Sequence, residues 1–216
     1  MFSALRPIQD HNWVVSITLF VLVLLVAVKT NRDNYFYLFL NSLFTTAFYS
    51  KKFSEKQRIA IPEVILFIAS LFSISFFILF FLSQDKFSVL TYFQILLIIT
   101  IVILSKYLIE KIIGDLFQID KLMGQYLFYK QGILSWLSLF FLFPVALIFY
   151  FQDIYNLDLL LLVAAISVLI YAFKLFSFIG LYQKYILPYW FYFILYLCAF
   201  EIAPYLILLK FLRSIN

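Results

Sequence analysis

Few residues in this chain could do chemistry in an apolar setting, and they are unevenly placed. Glu201 stands inside a long apolar run, eight residues before Leu209. At 1.5 Å of helical rise per residue it lies about 12 Å from that end. A glutamate is too short to reach water from such a depth. Ionisable groups inside membrane segments mark functional or packing-critical places. Pro204, three residues on, removes a backbone donor and loosens the turn around Phe200 and Glu201. Two roles suit such a carboxyl group: exchanging a proton during transport, or hydrogen bonding to a tyrosine or a freed carbonyl inside a bundle.

The usual catalytic sets are absent from the sequence. Its single histidine, His11, cannot build a multi-histidine metal site. The four glycines, Gly114, Gly124, Gly132 and Gly180, are too scattered for a phosphate-binding loop, and no serine sits in a Gly-x-Ser-x-Gly turn. Asp115 and Asp120 diverge by roughly 140° on a helix of 3.6 residues per turn, a poor pair for holding a metal-pyrophosphate. The lone Cys198 has no partner for an intrachain disulfide. The expectation is no catalytic residues, no cofactor, no metal, and a protein that is not an enzyme.

The elements that position Glu201 follow from composition. Of 216 residues, 66% are hydrophobic and 12% charged, and mean hydropathy is +1.05. Soluble domains run near ~45–50% apolar and ~25% charged. A soluble globular domain, a disordered chain and an ordinary nucleic-acid-binding domain are excluded, and the net charge of +5 is read as basic residues held on one side of a membrane. The predicted fold is all-α: a polytopic membrane helical bundle forming one domain over residues 1–216. Its six transmembrane helices are Trp13–Thr30, Pro62–Leu82, Val89–Leu108, Ile133–Phe151, Leu157–Phe176 and Tyr189–Leu209, each near the ~20 residues a bilayer requires. Pro144 is expected to kink the fourth. Trp13, Trp136 and Trp190 fall at span starts, as interfacial anchors do. The polar stretch after the first span lacks a small-residue cleavage site, so that span is expected to be retained.

Loop charges orient the set. Twelve of the sixteen Lys and Arg lie between spans one and two, three and four, or five and six, counting Lys29, Lys106 and Lys174 in the last turns of the spans that lead into those connections. This places those connections in the cytoplasm and both termini outside. Two of the cytoplasmic connections are patterned as interfacial amphipathic helices. Asn34–Tyr49 is aromatic but interrupted by Asn41, Ser42, Thr45 and Thr46, and is too short to span. Ile112–Leu127 sets Ile112, Leu116, Ile119, Met123 and Tyr126 at helical spacing against Asp115, Gln118, Lys121 and Gln125, as an interfacial or protruding helix, with Lys106 and Glu110 as an i,i+4 pair through which it can run on from span three.

The string Tyr196-Leu197-Cys198-Ala199-Phe200-Glu201-Ile202-Ala203-Pro204, followed by Leu208 and Lys210, resembles the closing signature of the domain of unknown function 4271 family of Bacteroidota. The similarity extends loosely over the whole chain. It implies a bacterial inner membrane and draws attention to Tyr196, Cys198, Glu201 and Pro204. It implies no substrate or reaction.

Three functional readings follow. The first is a non-enzymatic inner-membrane scaffold or subunit of an envelope complex. It sits in the lipid bilayer, docks a membrane or cytoplasmic protein through Asn34–Arg58 and Ile112–Lys130, and binds no nucleic acid. The second is a small transporter or proton-coupled protein using Glu201. The third, a lipid-modifying enzyme, ranks last because no second acid or metal ligand converges on Glu201.

Overall fold

A computed structural model describes residues 12–31, 33–45, 48–49, 61–82, 88–116, 119–152 and 156–181, all but a few of them helical. The elements are α1 (Asn12–Asn31), α2 (Asp33–Leu40) with a 3-10 turn (Asn41–Leu43), α3 (Ile61–Leu82), α4 (Val89–Leu116), α5 (Asp120–Leu137), a π-helical turn (Ser138–Leu142), α6 (Phe143–Phe151) and α7 (Leu157–Leu181). Among these residues, five helical stretches are long and apolar enough to cross a membrane. The sixth expected span, Tyr189–Leu209, lies outside the described residues, and with it Tyr196, Cys198, Glu201 and Pro204.

The helix ends have local causes. α3 opens with Pro62, whose missing N–H has no intrahelical partner to lose there, and Glu63 follows in the favourable first turn. Ser88 caps α4: its Oγ accepts the Thr91 N–H at 3.1 Å. Asn156 does the same for α7, its Oδ1 accepting the N–H of Asp158 at 3.0 Å. α4 closes with the Ile119 N–H donating to the Gly114 carbonyl at 3.0 Å. Where a kink is expected at Pro144, the structure has a π turn just before it. The proline cannot donate to the turn before it, and the helix widens into the π turn over Ser138–Leu142 without breaking. Ser138 Oγ bonds the Ser135 carbonyl at 3.0 Å within that stretch.

α3 is the most buried of the described spans, while α4 and α7 lie at the edge of the bundle. Ala69, Ser70, Ser73 and Ser75 are buried on α3, small enough for neighbouring helices to approach closely. Around them the core is aromatic. Phe76 meets Phe143 and Tyr150 at centroid distances of 5.9 and 6.0 Å. At one end of the bundle Trp13 lies between Tyr92 and Tyr150 at 5.9 and 6.4 Å, and the Tyr92 hydroxyl donates to the Phe72 carbonyl at 3.2 Å.

Three expectations need correction. Ile112–Leu127 is not one amphipathic helix. Its first residues belong to α4, which ends at Leu116, and its last to α5, which begins at Asp120. The chain reverses between them, so Met123 is buried (2% exposed) while Leu116 points away from the bundle (74% exposed). Asn34–Tyr49 is not a continuous helix either: it ends at Leu40, passes through the 3-10 turn, and is helical again at Phe48 and Tyr49. The fourth span is also longer than expected, its apolar stretch running from Met123 to Phe151.

Candidate functional site

A buried ion pair and several buried tyrosines lie where α4, α7 and the 33–49 segment pack on α5. Glu110, on the inward face of α4, is 2% exposed, and its Oε1 accepts from Lys130 Nζ on α5 at 2.6 Å. The Lys130 ammonium also lies 5.6 Å from the centroid of the Tyr126 ring, one turn back on α5, a cation–π distance. Removing both charges from water costs several kcal/mol per ion, which the pair recovers only with close geometry. Such a pair fixes the register of α4 against α5 more than it adds to stability.

Two further tyrosines pack at the neighbouring face of α5. Tyr129, adjacent to Lys130, donates its hydroxyl to the Lys174 carbonyl of α7 at 3.2 Å and packs on Phe178 at 4.8 Å. Tyr49 lies 4.4 Å from the Tyr129 ring. A Cβ placed on Gly132 would come within 2.9 Å of Tyr49 Cε1 and Oη, so only glycine leaves room for Tyr49 to lie against α5. Tyr49 and Ser42 are both buried, and among the described residues neither hydroxyl completes a hydrogen bond. Burial pushes the Tyr49 phenol above its ordinary pKa; the Ser42 hydroxyl moderates the rise without reaching hydrogen-bond geometry, and Tyr129 adds to it.

Ring contacts show how the 33–49 segment lies along α5. Phe48 stacks on Phe128 at 5.6 Å and meets Tyr35 at 5.1 Å, so the two ends of the segment share one level. Phe39 meets Phe140 at 6.1 Å and Phe44 meets Trp136 at 6.5 Å. The seven residues from Tyr129 to Trp136 advance about 10 Å along a helix. The segment is therefore a hairpin whose turn reaches about 10 Å further along α5 than its ends. Trp136 holds that turn, its indole N–H donating to the Leu40 carbonyl at 2.8 Å. The tryptophan read from sequence as an interfacial anchor thus satisfies a backbone carbonyl within the protein.

The site residues read from sequence, Glu201, Pro204, Tyr196 and Cys198, lie outside the described residues. Glu110, Lys130, Tyr49, Gly132 and Trp136 were not singled out as a site. Glu110 is legible in the sequence only as an i,i+4 partner of Lys106, and Lys130, which pairs with it, comes from across a chain reversal. Among the described residues no group of three or more His, Cys, Asp or Glu could hold a metal ion.

The sequence model of one protein family, described as a domain of unknown function (DUF4271), matches residues 14–212. No curated protein and no solved structure matches the chain.

Proposed function

We propose that this chain, which belongs to the domain of unknown function 4271 family, is a non-enzymatic scaffold or subunit of a bacterial inner-membrane complex. It is an all-helical integral membrane protein; the role is our reading. One observation carries it. α4 has 28 residues and is about 42 Å long, and the rod from Asp120 to Phe151 is about 48 Å, against a hydrocarbon thickness of ~30 Å. A helical pair longer than the bilayer projects beyond it, stiffened at its base by Glu110–Lys130. Near its tip Lys111, Ile112, Asp115 and Leu116 are exposed, a mix of charge and apolar surface suited to a protein partner.

Under this reading the connections rich in Lys and Arg are cytoplasmic, both termini lie outside, and six spans cross the membrane. A reporter fused after Asn216 then behaves as periplasmic; cytoplasmic behaviour refutes the orientation. Partner binding is tested with full-length protein purified from native membranes. Ile112→Lys with Leu116→Lys should lose a co-purifying protein that Tyr107→Phe retains, at equal abundance and helicity. The same co-purifying set from all three proteins refutes docking through the tip.

The transport reading ranks second. Its support in the sequence is Glu201, and broken backbone such as that of the 33–49 hairpin is a further feature of transporters. Here Phe128, Trp136 and Phe140 pack on the hairpin, which favours a sealed structural role.

A further inference from the structure

α4 turns one face to the bundle, along Tyr92, Ile95, Ile99, Ile103 and Glu110, and the opposite face outward. Along the centre of the outward face run Leu90, Gln94, Leu97, Ile101, Ser105 and Leu108, each three or four residues from the last and all exposed. Lipid suits the aliphatic members. Gln94 is anomalous. It lies six residues from the Ser88 cap, about 9 Å along the helix, and its carboxamide makes no hydrogen bond among the described residues. Several hydroxyls elsewhere in the spans bond to their own helix, as Thr18 does to Val14, Thr100 to Leu96 and Ser167 to Val163. A glutamine cannot close such a bond as cheaply, and a free amide in hydrocarbon is costly.

We infer that this ridge is a self-association surface on which a second copy of the chain packs with Gln94 against Gln94. The occupant follows from the chemistry of the amide. A carboxamide carries both a donor and an acceptor, so two copies related by a twofold axis along the membrane normal satisfy each other. Ser105, one small residue among the aliphatics, lets the two backbones approach further along the seam. The ridge lies opposite the α3 and α5 contacts, so pairing leaves the bundle and the Glu110–Lys130 cluster undisturbed.

The experiment uses the full chain with Cys198→Ser in lipid vesicles at high dilution. Association is read by energy transfer between labelled copies and by oxidative cross-linking. The parent should form dimers. Gln94→Leu should weaken association about tenfold, and Gln94→Asn, which keeps the carboxamide, should retain most of it. Ile101→Cys should cross-link to its own copy, and Ile99→Cys on the bundle face should not. A monomeric parent overturns the inference. So does a Gln94→Leu protein that associates as the parent does, or an Ile101→Cys protein that forms no covalent dimer. Unchanged far-ultraviolet circular dichroism shows that every variant is folded.

Discussion

Replacing Gly132 by alanine tests whether Tyr49 is seated on α5. In an isolated helix the change is favourable, because glycine is about 1 kcal/mol worse than alanine in a helix interior. In this protein the new methyl would meet Tyr49 Cε1 and Oη at 2.9 Å and Cζ at 3.3 Å. The ring would have to retreat by about 0.6 Å to reach the ~3.5 Å at which carbon contacts become favourable. It has little room. Tyr49 is 1% exposed, with Phe48 at 5.2 Å and Phe128 at 6.0 Å. Tyr129 lies behind it at 4.4 Å and is itself tied to the Lys174 carbonyl. Overpacking of this kind costs about 1–3 kcal/mol. The net expectation for Gly132→Ala is a loss of about 0–2 kcal/mol, too broad to decide the matter alone. A double-mutant cycle isolates the contact. In a Tyr49→Leu background the clash is gone, and Gly132→Ala should stabilise by about 1 kcal/mol through helix propensity. The coupling between the two positions is then about 1–3 kcal/mol, measured by reversible unfolding of purified protein in mixed micelles. Equal stabilisation by Gly132→Ala in both backgrounds refutes the placement of Tyr49 against α5.

Four further outcomes follow. Glu110→Gln leaves the Lys130 ammonium without its carboxylate and should lower stability in the same micelle assay by up to about 3–5 kcal/mol, reduced because Lys130 is 12% exposed; Asp115→Asn, on an exposed position, should change it little. Tyr49→Phe removes a buried hydroxyl that has no hydrogen bond among the described residues and should be neutral or mildly stabilising at pH 7. The unfolded phenol ionises near pH 10 while burial holds the folded one protonated, so the parent loses stability as pH rises above about 10, and Tyr49→Phe should show a shallower loss by up to ~1.4 kcal/mol per pH unit. Met123→Lys should unfold or deplete the protein, whereas Leu116→Lys should leave its abundance and helicity intact, as judged by membrane immunoblots and circular dichroism. If Glu201 serves packing, Glu201→Gln leaves abundance and cellular phenotype normal and Glu201→Leu does not; if it carries a proton, Glu201→Gln abolishes function at normal abundance. Normal behaviour of both variants removes Glu201 as a site.

The spans were legible in the sequence because their cause is local and repeated. Runs such as Pro62–Leu82 and Leu157–Phe176 can only be helical in a bilayer, and their starts are set by Pro62, Ser88 and Asn156. The Ile112–Leu127 helix failed for a specific reason. Leu116 and Met123 fit one helical stripe by spacing, but a reversal between Leu116 and Asp120 puts them on different helices, and periodicity carries no sign of a turn that lacks proline and has its glycine earlier, at Gly114. The cluster around Glu110 and Lys130 was hidden because its partners are tertiary. Glu110 finds Lys130 20 residues away, and Leu40 finds Trp136 96 residues away.

That last separation sets an order of events during synthesis. Leu40 emerges from the ribosome long before Trp136, by about 5–20 s at ~5–20 residues per second. Until then nothing supplies the N–H that the Leu40 carbonyl receives from Trp136, and lipid tails offer no substitute. The hairpin must therefore wait in water or among headgroups while α3 and α4 insert, and take its place only when α5 arrives. Membrane insertion and completion of the fold are separate steps in this protein. In the orientation proposed above, a chain stalled between them would carry all its early spans and still present residues 33–49 to a cytoplasmic protease or chaperone, so cleavage there would report unfinished copies.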